Sequence, residues 1–374
     1  MLKYIKYYFP PFLALSFICI SCMGSHYPTF FLLLFSFVII GGDYVFKRDK
    51  KIDIYSHPIF LDLSLYMALP ILFILIFYVI SIFTNELPIW YLNLFNFLNI
   101  DFILLKNSFT TIDKISIIIQ SFLLVASMSI AGGHELVHRK KNKFDMFVGN
   151  WLLAFSCDCN FAIEHVYCHH KNVCLPEDPA SAKRGENIYL FILRAIINEY
   201  ISGCKIELSR LKRKKISFFT IKNRMIQGFL RSIIIALIIL EFLGITGLFL
   251  FFLIAFLSKS SLEAINYIEH YGLVREKGKP VRMRHSWNSN HFFSSIYLYN
   301  VTRHSDHHRN TNLKFWELQP IHEDAPILPY GYLSMLYLVL LFPFLYKAIM
   351  KIELDDWDQN YANDFEKELV QNIT

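Results

Sequence analysis

The sequence predicts an all-α integral membrane protein with six transmembrane helices and a cytoplasmic helical cap. Three observations point there. Of 374 positions, 54% are hydrophobic and 17% aromatic, more apolar material than a water-facing surface of this length accommodates. The apolar residues are gathered into blocks, with the polar residues concentrated in two long stretches after residue 132. Strand-like alternation is sparse, so helices are expected to continue from the apolar blocks into the polar stretches.

The blocks cover residues 9–23, 29–46, 61–83, 112–131, 229–243 and 245–265. Crossing about 30 Å of hydrocarbon takes roughly 20 helical residues, and most blocks reach or approach that length. The first follows Lys3 and Lys6 as a signal peptide would, but no small-x-small cleavage site precedes the second block, so it is expected to remain as an anchor. A further apolar run, 330–349, is interrupted by Pro343 and reads as an interfacial or re-entrant helix. The acidic tail, 353–368, reads as a solvated end with no chemical role.

Orientation follows from the lysines and arginines, which concentrate on cytoplasmic flanks. Lys3 and Lys6, the group Lys47, Arg48, Lys50 and Lys51, the group Arg139, Lys140, Lys141 and Lys143, and the basic stretches 205–215 and 275–284 all fall on one side of the six-span scheme. The opposite connections hold only Lys106 and Lys114 at their margins. This places both termini and the cap (133–225 and 266–374) in the cytoplasm, in what is expected to be a bacterial inner membrane. The net charge of +6 then follows from topology, with no nucleic-acid partner required. Seven cysteines form no even framework and mostly face a reducing compartment, so no structural disulfide is expected. Cys19 and Cys22 have CxxC spacing inside an apolar helix, where packing explains them.

Nine of the fourteen histidines fall in four clusters: His134 and His138 in GGHELVHRK, His165, His169 and His170 in IEHVYCHHK, His270 in NYIEHYGL, and His304, His307 and His308 in RHSDHHRN. On a helix, residues three and four apart share a face, so HxxxH and HxxHH are expected to point their imidazoles in one direction. Burying nine imidazoles beside a bilayer is costly unless each has a partner, and convergent imidazoles share metals. Imidazole suits zinc, copper, iron and nickel alike, but zinc sites use three or four protein ligands, whereas nine histidines fill two sites. Two redox ions beside an apolar cavity point to dioxygen chemistry.

Glu135, Glu164, Glu269 and Asp306 each adjoin a box histidine, where they are expected to orient imidazole N–H groups and offset metal charge; Glu269 and Asp306 stand as the candidate catalytic residues. His285 and His291 either bond ligand imidazoles or order their own loop, and His26, His57 and His322 read as interfacial. A metal transporter or sensor would instead line its spanning helices with histidine, whereas these nine lie at or beyond the cytoplasmic helix ends.

At these residues the chain resembles the membrane alkane hydroxylases (alkane 1-monooxygenases), relatives of the xylene monooxygenases and, further off, of membrane fatty-acyl desaturases. HELVHRK, EHVYCHH, NYIEHYGL and RHSDHH match the family's four boxes in order and spacing, and PEDPAS, GENIY and HSWNSNH match adjoining stretches, so the resemblance covers about residues 40–350. It implies a cytoplasmic nine-histidine di-iron site, hydroxylation of the terminal methyl of an alkane or similar apolar chain, and electrons from NAD(P)H through a reductase and rubredoxin. The same metals would also serve a lipid acyl-chain desaturase or hydroxylase, or an aryl-methyl (xylene-type) monooxygenase. Cys168 departs from the family's glycine in the second box, Arg139 intervenes before Lys140, and Thr302 replaces a glutamine.

The chain holds no second CxxC pair for a rubredoxin-type iron and no GxGxxG after a strand for a nucleotide, so electrons are expected from a docked carrier, with the basic stretches 205–215 and 275–284 as its surface. The substrate is expected to enter sideways from the lipid, between the second, third and fourth helices.

Overall fold

The computed structural model describes residues 2–46, 52–320 and 323–371. Lys47, Arg48, Lys50, Lys51 and His322 lie outside them. Among the described residues the fold is helical, with an isolated bridge between Asn288 and Ile327 and no strand. Helix α1 (Phe9–Ser21) begins with Pro10 and Pro11 in its first turn, where a missing N–H breaks no helical bond. Helix α2 spans Tyr27–Phe46 and α3 Ile59–Ser81. In α3, Pro70 cannot donate to the carbonyl of Tyr66, and helical regularity lapses at Met67. Helix α4 (Thr111–His138) is capped reciprocally by Thr110 and Asp113 and contains a π-helical turn, Ala126–Ala131. Then come α5 (Lys143–Ala154), α6 (Ile188–Arg213) and α7 (Arg224–His270), followed by α8 (His304–Arg309), α9 (Tyr332–Leu341), α10 (Pro343–Asn360) and α11 (Asp364–Gln371).

Four of these, α2, α3, α4 and α7, are long and apolar enough to cross a bilayer. Phe37 on α2 and Ile245 and Phe249 on α7 are each more than two-thirds exposed, a surface that lipid solvates without cost and water does not. The chain is a membrane protein. Its apolar helices match the expected blocks with three differences. Helix α1 has 13 helical residues, fewer than a full crossing. Helix α4 runs on through the first histidine box. The blocks 229–243 and 245–265 both lie in α7, where Gly244 breaks the helix at φ 65°, ψ −169°. The positive φ at Gly244 is a conformation that a residue with a Cβ adopts only under strain. The interrupted run 330–349 becomes α9 and the start of α10, parted at Phe342 just before Pro343.

The chain divides into two compact units. The first comprises Met1–Val38, His57–Cys159 and Ile226–Lys259. Here α4 and α5 approach through paired glycines: a Cβ on Gly133 would lie 3.2 Å from the carbonyl oxygen of Gly149, and one on Gly149 would lie 3.3 Å from that of Gly133. Small residues at a membrane crossing let backbones close up, and Gly133 immediately precedes His134. Several charged groups inside this unit are matched. Asp113 accepts from Thr29, Thr110 and the His26 N–H, and Lys106 donates to the Thr84 carbonyl at 2.7 Å. Lys259 pairs with Asp158 at 2.8 Å, both buried.

The second unit comprises Ile39–Ser56, Asn160–Met225 and Ser260–Thr374. Asp43 at the end of α2 accepts from the backbone N–H of Phe293 (2.7 Å) and from the Ser294 hydroxyl (2.6 Å), while a Cβ at Gly331 would run into its carboxylate. The acidic tail is not solvated as expected. Trp357 is fully buried and donates its indole N–H to the Arg284 carbonyl at 2.7 Å, and Asp358 takes two bonds from Arg184 at 2.6 and 2.8 Å. Glu366 is 1% exposed and pairs with Arg284. The basic stretches also divide. Arg275 is buried and donates to the carbonyls of Lys171 and Val173, whereas Lys277, Lys279 and Arg282 are exposed, as are Lys205 and 212–215.

Removing one partner of a buried ion pair leaves an uncompensated charge, typically at about 3–5 kcal/mol. Lys259→Met should therefore lower the melting temperature in detergent, and Asp158→Asn added to it should recover much of the loss. A single variant as stable as the parent would mean the pair carries no weight in the first unit.

Candidate metal centre

The first box lies in the first unit. His134 and His138 sit one helical turn apart at the end of α4, with ring centroids 4.7 Å apart, just after the π-turn. Glu135 on the same turn is committed to Arg139, taking its Nε–H at 2.9 Å and its Nη2–H at 2.7 Å. Arg139 also binds Asp62, so this departure from the family pattern is a clamp on the box.

The other three boxes lie in the second unit, and their imidazoles sort into two groups. His169, His270, His304 and His308 are buried, with ligand nitrogens all within 4.8 Å of one another. His304 Nε2 lies 3.2 Å from His270 Nε2 and 2.9 Å from His308 Nε2. His165, His170 and His307 form the second group, with His170 Nε2 3.0 Å from His165 Nε2 and 3.2 Å from His307 Nε2.

The boxes therefore do not point all their imidazoles one way, contrary to the sequence expectation. His165–His169 is a π-helical stretch, in which i→i+5 bonding brings His165 beside His170 and sends His169 to the other group. Helix α8 is ordinary α-helix, so His304 and His308, four apart, stay together and His307 turns to the second group.

The donor chemistry fits cations. A neutral imidazole has one N–H and one lone pair. His169 directs Nδ1 at Asp178, 3.0 Å from Oδ2 and 3.2 Å from Oδ1. His270 directs Nδ1 at the carbonyl of His285 at 3.1 Å; a carbonyl only accepts, so Nδ1 carries the proton. The Nε2 atoms of both rings are left as lone pairs, and that of His169 is buried without a hydrogen-bond partner. Lone pairs converging in a buried space repel one another unless a cation lies between them. Burial, with the nearby His169, pushes His307 down to about 3, and burial with the surrounding imidazoles holds His308 well below its ordinary value, so both rings are neutral as metal ligands must be. Burial raises the Asp178 carboxyl, but His169 and the Ser181 hydroxyl outweigh it and hold it below the usual range.

Of the carboxylates named from the sequence, Glu269 is buried with Oε2 3.2 Å from His304 Nε2. Asp306 is buried but faces away from the imidazoles, accepting the Gln319 N–H at 2.8 Å and pairing with Arg309 at 2.6 Å. Glu164 is buried beside His165. Cys168 accepts from the Asn172 amide at 3.3 Å and takes part in neither imidazole group. His291 bonds Ser289 at 2.9 Å and orders its own loop; His285 does both, taking the Arg282 N–H on its ring at 3.0 Å and the His270 Nδ1–H on its carbonyl, and its ring also binds Glu366, which was not expected. Sequence reasoning missed Asp178, although it lies in PEDPAS, one of the stretches that carried the resemblance.

Comparison with known proteins agrees. Residues 115–339, more than half of the chain and including all four boxes, match the fatty acid desaturase family. The chain belongs to that family. Within it, alkane 1-monooxygenase 1 of Pseudomonas aeruginosa is 35% identical over 232 residues, 61% of this chain and 60% of the relative. The alkane 1-monooxygenase of Acinetobacter baylyi is 36% identical over 269 residues, 70% of this chain and 65% of the relative. The xylene/toluene monooxygenase hydroxylase component of Pseudomonas putida is 33% identical over 239 residues, 63% of each. The chain thus spans somewhat under two-thirds of the length of these relatives, and the resemblance read from the four boxes holds.

Groups that orient metal-bound histidines usually contribute about 10–100-fold to metal affinity. Asp178→Ala should lose bound metal to a competing chelator at least tenfold more readily than the parent chain, and Asp178→Asn, which keeps an acceptor for His169, should lose less. Equal retention in all three, by elemental analysis, would remove Asp178 from the site.

Proposed function

We propose that this chain is a non-haem di-iron monooxygenase that hydroxylates the terminal methyl of an alkane or similar apolar chain, using dioxygen and electrons from rubredoxin and its NAD(P)H-dependent reductase. The observation that carries the reading is the pair of separate imidazole groups in the second unit. One ion would engage His169, His270, His304 and His308, and His165, His170 and His307 converge on a point of their own, to which we assign a second ion. Three nitrogens are few for such a site; the resemblance read from the four boxes counts His134 and His138 among the nine metal ligands.

An all-imidazole shell is neutral, so the positive charge of two ions must be offset nearby. Glu269, beside His304, is suited to that and to handling a proton at the centre, whereas Asp306 acts at one remove by holding Gln319 and Arg309 around the fourth box. Bound at these nitrogens, iron would supply dioxygen activation and attack on an unactivated C–H bond. The chain's own work is to fix each lone pair through Asp178 and the His285 carbonyl, to exclude water, and to admit an apolar molecule from the lipid.

The six-span topology belongs to this reading, with α1 as a short anchor and Gly244 as the turn between the last two spans, both termini and the cap in the cytoplasm of a bacterial inner membrane. Exposed Lys205, Lys212, Lys277, Lys279 and Arg282 would meet an acidic electron carrier, whereas Arg284 is committed to Glu366. The desaturase family match favours one rival outcome, oxidation of a lipid acyl chain, and the xylene/toluene relative favours another, attack on an aryl methyl group.

Product analysis separates these. Iron-loaded protein with rubredoxin, its reductase and NADH should convert octane or hexadecane to the 1-alkanol. Unsaturated fatty acids or xylene alcohols in its place would transfer the assignment to the corresponding rival.

A further inference from the structure

Helix α11 reaches the turn at 282–286 through the carboxylate of Glu366. Glu366 lies in the first turn of α11, where it accepts the Asn363 N–H at 3.0 Å while Asn363 accepts its own N–H at 2.8 Å, a reciprocal cap. The same carboxylate pairs with Arg284 at 2.8 and 3.1 Å and lies 2.8 Å from His285 Nε2. His285 Nδ1 accepts the Arg282 N–H at 3.0 Å, so Nε2 carries the proton and donates it to Glu366.

The backbone of that same histidine faces the metal centre. Its carbonyl accepts from His270 Nδ1 and from the Cys174 thiol, each at 3.1 Å. Ser305, next to His304, donates to the carbonyls of Met283 (2.7 Å) and Ser286 (3.1 Å). The turn at 282–286 is therefore held by box residues on one side and by the tail on the other.

We propose that Glu366 is a positioning residue for the metal centre: by holding the His285 ring it fixes the carbonyl that orients His270, which makes the tail a part of the site. This rests on reading the imidazole groups as a metal centre. Without Glu366 the His285 ring loses its acceptor, the turn relaxes, and His270 is free to rotate its lone pair away. The loss falls on the group of His169, His270, His304 and His308, which contains the ring that this carbonyl orients.

The test is cobalt(II) titration of the full-length chain in detergent, followed by ligand-field absorption. Glu366→Ala should weaken one of the two binding steps at least about tenfold and leave the other unchanged. Glu366→Gln, whose amide oxygen still accepts from His285, should restore most of the affinity. Asp358→Ala breaks the tail's bond to Arg184 without touching His285 and should alter neither step. Should Glu366→Ala fail to fold, His285→Gln reads the same link from its other end and should weaken the same step. Parental binding in Glu366→Ala or His285→Gln would overturn the proposal, as would an equal loss in Asp358→Ala, which would make the tail a general brace. A parent chain that binds no cobalt would overturn the metal-centre reading itself, and the proposal with it.

Discussion

An imidazole gives a metal only one of its two nitrogens, so whatever takes the proton of the other decides where the lone pair points. For His169 that partner is the Asp178 carboxylate, and for His270 it is a backbone carbonyl. The two have different consequences. Both fix the ring's direction and make it more basic, but a carboxylate also adds a negative charge beside the centre, which a carbonyl does not. The second unit is arranged around these partners: Asp178 is itself held by the Ser181 hydroxyl at 2.6 Å, and the turn that carries the carbonyl is held by Ser305 through Met283 and Ser286 and by Glu366 through the His285 ring.

Helix irregularity does the sorting. In a uniform α-helix, His165 and His169 would share a face and His170 would lie beside it. The π-stretch brings His165 Nε2 to within 3.0 Å of His170 Nε2 while the His165 ring stays stacked on His169 at 5.0 Å, and His169 turns its Nδ1 to Asp178. Local hydrogen bonding is less regular there, and the surrounding packing must hold it; such turns concentrate at functional sites for that reason. The π-turn at Ala126–Ala131 lies just ahead of the first box but contains neither His134 nor His138, which stay four apart on ordinary α-helix.

What could be read from the sequence is what short-range chemistry encodes. Apolar blocks long enough to cross a bilayer, and histidines spaced for helical faces, are visible because the physics that makes them matter acts within a few residues. The division of the boxes was hidden because HxxHH looks the same in α- and π-helix. Asp178 and Glu366 were hidden because each acts on a partner placed by the fold: Glu366 meets His285 across 81 positions. The tail's charge density suggested solvent, but charge density averages over residues, and it is the single inward-facing ones, Asp358 and Glu366, that dock it. Arg284 was misread in the same way, as part of a basic surface, when its guanidinium faces the tail.

The central claim is that two imidazole groups hold two ions, and counting the ions tests it most directly. Protein purified from iron-replete cells and examined by elemental analysis and Mössbauer spectroscopy should hold close to two irons per chain, in a signal characteristic of a nitrogen-rich pair. One zinc per chain, with no uptake of iron on reconstitution, would contradict the account.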